Sequence, residues 1–151
     1  MSEPDVPAPA PDALPFWRQS TWRICTVVGT LVALALGAWM PVSLTPFQLV
    51  LLVILFPLLE EIVFRGLVQP LIARHWRARW QQLSLANMAT SALFALAHVA
   101  SRGPSPLTVG VFIPSLLFGH AAESNRGKLG APIAMHMAFN AGFFLPGLIA
   151  H

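Results

Sequence analysis

The chain has 151 residues, enough for one domain, and 56% of them are apolar while only 10% are charged, against roughly 25% in soluble domains. That composition excludes an ordinary water-soluble globule and indicates a membrane protein. The formal charge of +3 sits at the ends of apolar segments and builds no basic-aromatic face, which argues against nucleic acid as a partner.

In chain order, residues 1–15 (MSEPDVPAPAPDALP) lack the basic start and small-residue cleavage site of a secretory signal. They read as a disordered cytoplasmic tail, leaving 16–151 as the helical domain. From Ile24 to Leu59 there is no charged residue. This run is longer than the roughly 20 residues one spanning helix needs, so the chain must fold back at least once. Cys25, the sole cysteine, permits no intramolecular disulfide and no cysteine metal cluster, and reads as a small buried hydrophobe. Proline, glycine and charge divide the remainder into five apolar stretches, about Trp22–Trp39, Pro46–Ala73, Leu83–Ala100, Leu107–Ala122 and Gly130–Ala150. The expected fold is all-α, a polytopic membrane bundle of about five transmembrane helices.

Placing the N-terminus inside gathers Arg18, Arg23, Arg74, Arg77, Arg79, Arg126 and Lys128 on the cytoplasmic side. Only Arg102 falls outside, and Arg65 lies within a span, a marked positive-inside bias. Trp17 and Trp22, Trp39, and Trp76 and Trp80 occupy interfacial positions in the same threading. The second stretch is too long for an untilted span, and Pro57 and Pro70 are positioned to kink it.

Within that stretch, LLEEIVFRG carries three charges. On a helix Glu61 and Arg65 are four apart in the favourable acid-then-base order. Glu60 points about 100° away and shares its face with Phe64 and Leu67, so it has no local partner. A carboxylate without a partner in a dry site binds a proton more readily, a property useful in a general base. The same three charges could instead form one buried network that fixes helix packing.

Further on, Asn87, Ser91, Phe94 and His98 form a stripe along one helix, and His136 and Asn140 project from one face of the last helix. Two hydrogen-bond donors so placed suit a developing oxyanion, where each contributes about 3 kcal/mol. They equally suit a helix-to-helix hydrogen bond of around 1 kcal/mol. Counted along straight helices, Glu60 and Asn140 fall near mid-membrane, His136 nearer the inner face and His98 nearer the outer, a spread of roughly 10 Å or more.

At these residues the sequence resembles the CPBP family of intramembrane glutamic endopeptidases, which includes the CAAX prenyl proteases and bacteriocin-processing or immunity proteins. The resemblance covers roughly 46–145. It rests on Glu-Glu-x-x-x-Arg at Glu60, Glu61 and Arg65, Phe-x-x-x-His at Phe94 and His98, and His-x-x-x-Asn at His136 and Asn140, in that order. The resemblance implies that Glu60 and His98 hold and deprotonate a water, and that His136 and Asn140 stabilise the oxyanion. Glu61, Arg65 and Phe94 support the site, and no metal or other cofactor is needed. The implied partners are the lipid bilayer and a membrane-anchored protein or peptide substrate. Short bacterial members include sorting proteases that remove a C-terminal anchor at the inner membrane. The chain departs from the CAAX proteases in having a single span before the motif-bearing helices.

Three rival readings accompany this one. Glu60, His98 and His136 could serve as a zinc set, although HExxH is absent. The same polar pocket could bind a hydrophobic peptide without cleaving it, as an immunity or scaffold protein would. A proton-coupled transporter is disfavoured by the lack of repeat symmetry. Outside the motifs, His75 reads as an inner-loop residue and His120 as interfacial. Met135, Met137, Phe139, Phe143 and Phe144 read as packing and lipid contacts, and His151 is the last residue.

Overall fold

The computed structural model describes residues 15–148; the expected N-terminal tail, apart from Pro15, and His151 lie outside the described residues. A 3-10 turn at Phe16–Arg18 leads into helix α1 (Ser20–Trp39), followed by the long helix α2 (Pro46–His75). A short antiparallel hairpin, β1 (Arg79–Trp80) and β2 (Leu83–Ser84), connects α2 to α3 (Leu85–Arg102). Helix α4 (Pro106–Ser124) and helix α5 (Gly130–Phe144) complete the bundle, with a final 3-10 turn at Leu145–Leu148. The five helices match the five apolar stretches, and the fold is the all-α membrane bundle the composition requires. Where the sequence indicates only an inner loop, the chain makes its hairpin through Gln81 at φ 53°.

Three of these helices, α1, α2 and α4, are long and apolar enough to cross a bilayer. The other two have 18 and 15 residues, spanning about 27 and 22 Å at 1.5 Å per residue, short of a 30 Å hydrocarbon core. Their lengths fit their position, because α5 packs between α1, α2 and α4, and α3 is flanked by α2 and α4. The lipid-facing role falls instead on α1 and the outer side of α2. There Ile24, Leu31, Val32, Val50, Val63 and Leu67 are all exposed. Such a surface is unfavourable in water and at home in hydrocarbon.

Small residues let α1 and α5 approach closely. A side chain at Gly37 would collide with the Phe143 carbonyl, and a Cβ at Gly142 would come within 2.7 Å of Thr30 O. In lipid, where apolar contact alone drives little association, this proximity is what holds the two helices together. Gly142→Val is expected to cost about 1–3 kcal/mol by overpacking, read as a lower melting temperature in detergent. Gly110→Ala, at a position with open space around it, is expected to change little.

Helix α2 is capped at its start by Thr45 and Gln48, each side chain bonding the other residue's backbone N–H. Its interior contains two π-helical segments, Leu51–Leu55 and Ile62–Val68, and each ends one residue short of a helix turn that holds a proline. Proline has no N–H and crowds the preceding turn. The residue before each proline responds by bonding five residues back: Phe56 N–H to Leu51 O, and Gln69 N–H to Phe64 O. The expected proline kinks are thus π turns, each inserting extra backbone into the helix. Glu60 and Glu61 lie between the two.

Candidate active site

Glu61 and Arg65 are fully buried, and Arg65 Nε lies 3.3 Å from Glu61 Oε2, realising the pairing expected from their spacing. That contact balances charge without hydrogen-bond alignment. The directional bonds of the guanidinium go elsewhere: Nη2 donates to both the carbonyl and the hydroxyl of Ser115 on α4, each at 2.7 Å. Its cationic carbon lies 5.0 Å from the Phe94 ring centre and 5.5 Å from that of Phe118, within cation–π range. Arg65 therefore ties α2 to α3 and α4 at one point.

The Glu61 carboxylate also accepts a hydrogen bond from His136 Nδ1 at 2.8 Å. Because Glu61 offers only acceptors, Nδ1 carries the hydrogen, and Nε2 is left as the working nitrogen of the ring. Nε2 lies 3.6 Å from Glu60 Oε2. That separation is too long for a direct hydrogen bond and suits two groups that share one water. The imidazole stacks on Phe118, with ring centres 4.5 Å apart and planes at 18°, and is held edge-on to Phe94 at 5.9 Å. Counting along straight helices puts His136 nearer the inner face than Glu60. The structure brings the two together, with the π turns repositioning Glu60 and side chains leaning toward their helix N-termini.

The adjacent glutamates thus have different surroundings. Glu61 is sealed between Arg65 and His136, whereas the Glu60 side chain retains 26% of its exposure and has no partner within hydrogen-bond distance among the described residues. His98 is half-buried, and its Nδ1 donates to the Phe94 carbonyl one turn back, at 3.0 Å, leaving Nε2 as its free acceptor. The Phe94 ring lies 4.5 Å from that imidazole and also borders Phe64 at 5.0 Å. Phe94 therefore separates and orients the two histidines. His98 joins the cluster through Phe94, whose ring also borders the His136 imidazole.

Asn140 is placed differently from the other motif residues. It shares a helix face with His136, but its Nδ2 donates to Leu52 O at 2.8 Å. That carbonyl is without its usual helical partner: Phe56 N–H has moved to Leu51 O, and the next residue along, Pro57, has no N–H to offer. The Asn140 carboxamide supplies the missing donor and joins α5 to the first π turn. One N–H of Asn140 is engaged there, and the second is left for other partners.

The sequence did not single out Ser115, Phe118 or the Leu52 carbonyl. Ser115 is an isolated hydroxyl residue in an apolar helix, a weak signal; Phe118 carries none, and the carbonyl is visible only through proline's missing N–H. The expected stripe on α3 is divided in use. Asn87 Nδ2 donates to Leu116 O at 3.0 Å, and Ser91 Oγ to Asn87 Oδ1 at 3.2 Å, so Asn87, braced by Ser91, docks α4 while Phe94 borders Arg65 and His136. Among the described residues, no three His, Cys, Asp or Glu side chains converge as a metal-binding set. His75 is an exposed residue at the end of α2, and His120 Nε2 contacts Ser124 Oγ at 3.3 Å, away from the cluster.

Fold and cluster together define a class: a polytopic helical membrane protein with acid–base groups drawn from three helices and gathered inside the bundle. A family model for Rce1-like type II CAAX prenyl endopeptidases matches residues 41–142, a span that contains the whole cluster and well over half of the chain. The chain belongs to that family, and is a peptidase of the intramembrane CAAX-protease type. Comparison with curated proteins and with solved structures found no match.

Proposed function

We propose that the chain is a glutamic-type intramembrane endopeptidase in which Glu60, with His98, holds and deprotonates a water. The resulting hydroxide attacks a peptide carbonyl of a membrane-anchored substrate. Asn140 donates its second N–H to the oxyanion that forms. His136 donates through Nε2 when both its ring nitrogens carry hydrogen, Nδ1 remaining on Glu61, and Glu60 returns the proton to the departing amine. Glu61 and Arg65 hold the His136 ring in place, and Phe94 spaces the two imidazoles. The observation that carries this reading is the contrast between the neighbouring glutamates, one sealed in an ion pair and one accessible beside an imidazole nitrogen at 3.6 Å. A base must reach water, and of the two glutamates Glu60 is the one with residual exposure.

Asn140 tests the oxyanion assignment, because it also has a structural bond. Loss of the bond to Leu52 alone is worth around 1 kcal/mol of stability, whereas loss of an oxyanion donor lowers kcat by roughly 10²–10³-fold with little change in KM. Asn140→Ala is expected to show the second effect in a cleavage assay. An unchanged kcat with a lowered melting temperature would leave Asn140 a purely structural residue.

The mechanism needs no metal, so cleavage by purified protein is expected to survive exhaustive chelation; loss of activity restored by zinc would favour the metalloprotease reading. The proposed setting is the bacterial inner membrane, with the N-terminus cytoplasmic, and the proposed reaction is release of a C-terminal membrane anchor from an exported protein. Comparing substrate lengths in cells carrying wild-type or Glu60→Gln protein tests that assignment.

A further inference from the structure

An apolar groove of about 590 Å³ runs between the end of α2 and the start of α3, remote from the glutamates. It is lined by Leu71, Ile72, His75 and Trp76 on the α2 side and by Ala89, Ala92 and Leu93 on α3. The volume lies within the range of small-ligand sites, about 300–1,000 Å³. Small residues on α3 create the space, since the two alanines leave room between neighbouring apolar side chains.

The His75 and Trp76 portion of the lining has a different chemistry from the rest. His75 Nδ1 lies 3.3 Å from Leu71 O; a carbonyl can only accept, so Nδ1 donates and Nε2 faces outward. Arg74 and Arg77 flank His75 and Trp76 in sequence and are exposed, as are both of those residues. An apolar groove lined in part by an imidazole and an indole, with an exposed arginine on each side of that His-Trp pair in sequence, matches a molecule with a long hydrocarbon chain and an anionic head. We propose that this groove is a binding site for one anionic phospholipid of the adjacent leaflet. One acyl chain lies over Ala89 and Ala92, and the phosphate lies at Arg74 and Arg77.

The test is native mass spectrometry of the full-length protein in mild detergent, with equal amounts of phosphatidylglycerol and phosphatidylcholine of the same acyl composition. The wild type is expected to retain one phosphatidylglycerol in clear preference. Each arginine near an anionic headgroup contributes about fivefold, so R74Q/R77Q is expected to weaken that retention by about 25-fold. Both positions are exposed, so this variant tests binding without disturbing the core. Ala92→Phe places a large ring in the groove lining and is expected to reduce retention of both lipids, whereas Val28→Phe on the exposed side of α1 changes neither. Equal retention of the two lipids by the wild type, or an R74Q/R77Q variant that keeps the preference, would overturn the proposal. Displacement of phosphatidylglycerol by an equimolar farnesylated peptide would overturn it too, by assigning the groove to substrate.

Discussion

Glu60→Gln is expected to lower the rate of substrate cleavage by roughly 10²–10⁴-fold, the range that a positioned general base contributes, while leaving the fold intact. The carboxamide keeps the size and shape of the side chain and removes the group that accepts a proton. Stability should change little, because Glu60 is partly exposed and its 3.6 Å separation from His136 Nε2 is too long for a hydrogen bond. The loss should appear in kcat, since substrate binding does not require the base. Glu60→Asp retains the carboxylate but withdraws it by one methylene, and should recover only part of the rate. A scaffold or immunity protein using the same pocket would keep its biological effect with Glu60→Gln, and that outcome would defeat the protease mechanism.

Arg65→Met is expected to act through stability. Its partner Glu61 would remain fully buried with only the His136 imidazole beside it, and breaking a buried ion pair from one side costs about 3–5 kcal/mol. Ser115 would also lose both hydrogen bonds from Nη2, and Phe94 and Phe118 the cation between them. The expected result is poor recovery of folded protein from membranes and a large fall in melting temperature. The double variant E61Q/R65M removes both charges and should regain much of that loss, because a neutral replacement of a buried pair is often nearly neutral. Activity should stay low in the double variant, since the His136 ring would no longer be held by a carboxylate. Stability restored without activity would thus separate the packing role of the pair from its effect on the site.

The segment boundaries were legible because proline, glycine and charge interrupt the apolar runs, and each interruption has a local physical cause. The same is true of Glu61 and Arg65, whose contact depends only on a four-residue spacing within one helix. Interactions between helices were less accessible. Pro57 and Pro70 mark places where α2 must deviate, but proline alone does not dictate whether the helix bends or takes an extra residue. At Pro57 the π turn leaves the Leu52 carbonyl without its helical donor, and the donor it finds is Asn140, 88 residues away. Straight-helix counting set Glu60 and His136 apart in depth, whereas their side chains meet at 3.6 Å, because it omits the π turn ahead of Glu60 and the lean of side chains. Phe118 and Ser115 contribute through tertiary contact alone, with no spacing in the sequence that links them to Arg65.

The central claim is that two adjacent glutamates divide the work, Glu60 performing the chemistry and Glu61 holding the frame. The most direct measurement is single-turnover cleavage and thermal melting on the same proteoliposome preparations of E60Q and E61Q. The expected pattern is an E60Q protein that melts as the wild type does but cleaves hundreds-fold slower or worse, beside an E61Q protein that melts earlier. An E60Q protein that cleaves at the wild-type rate would contradict the account.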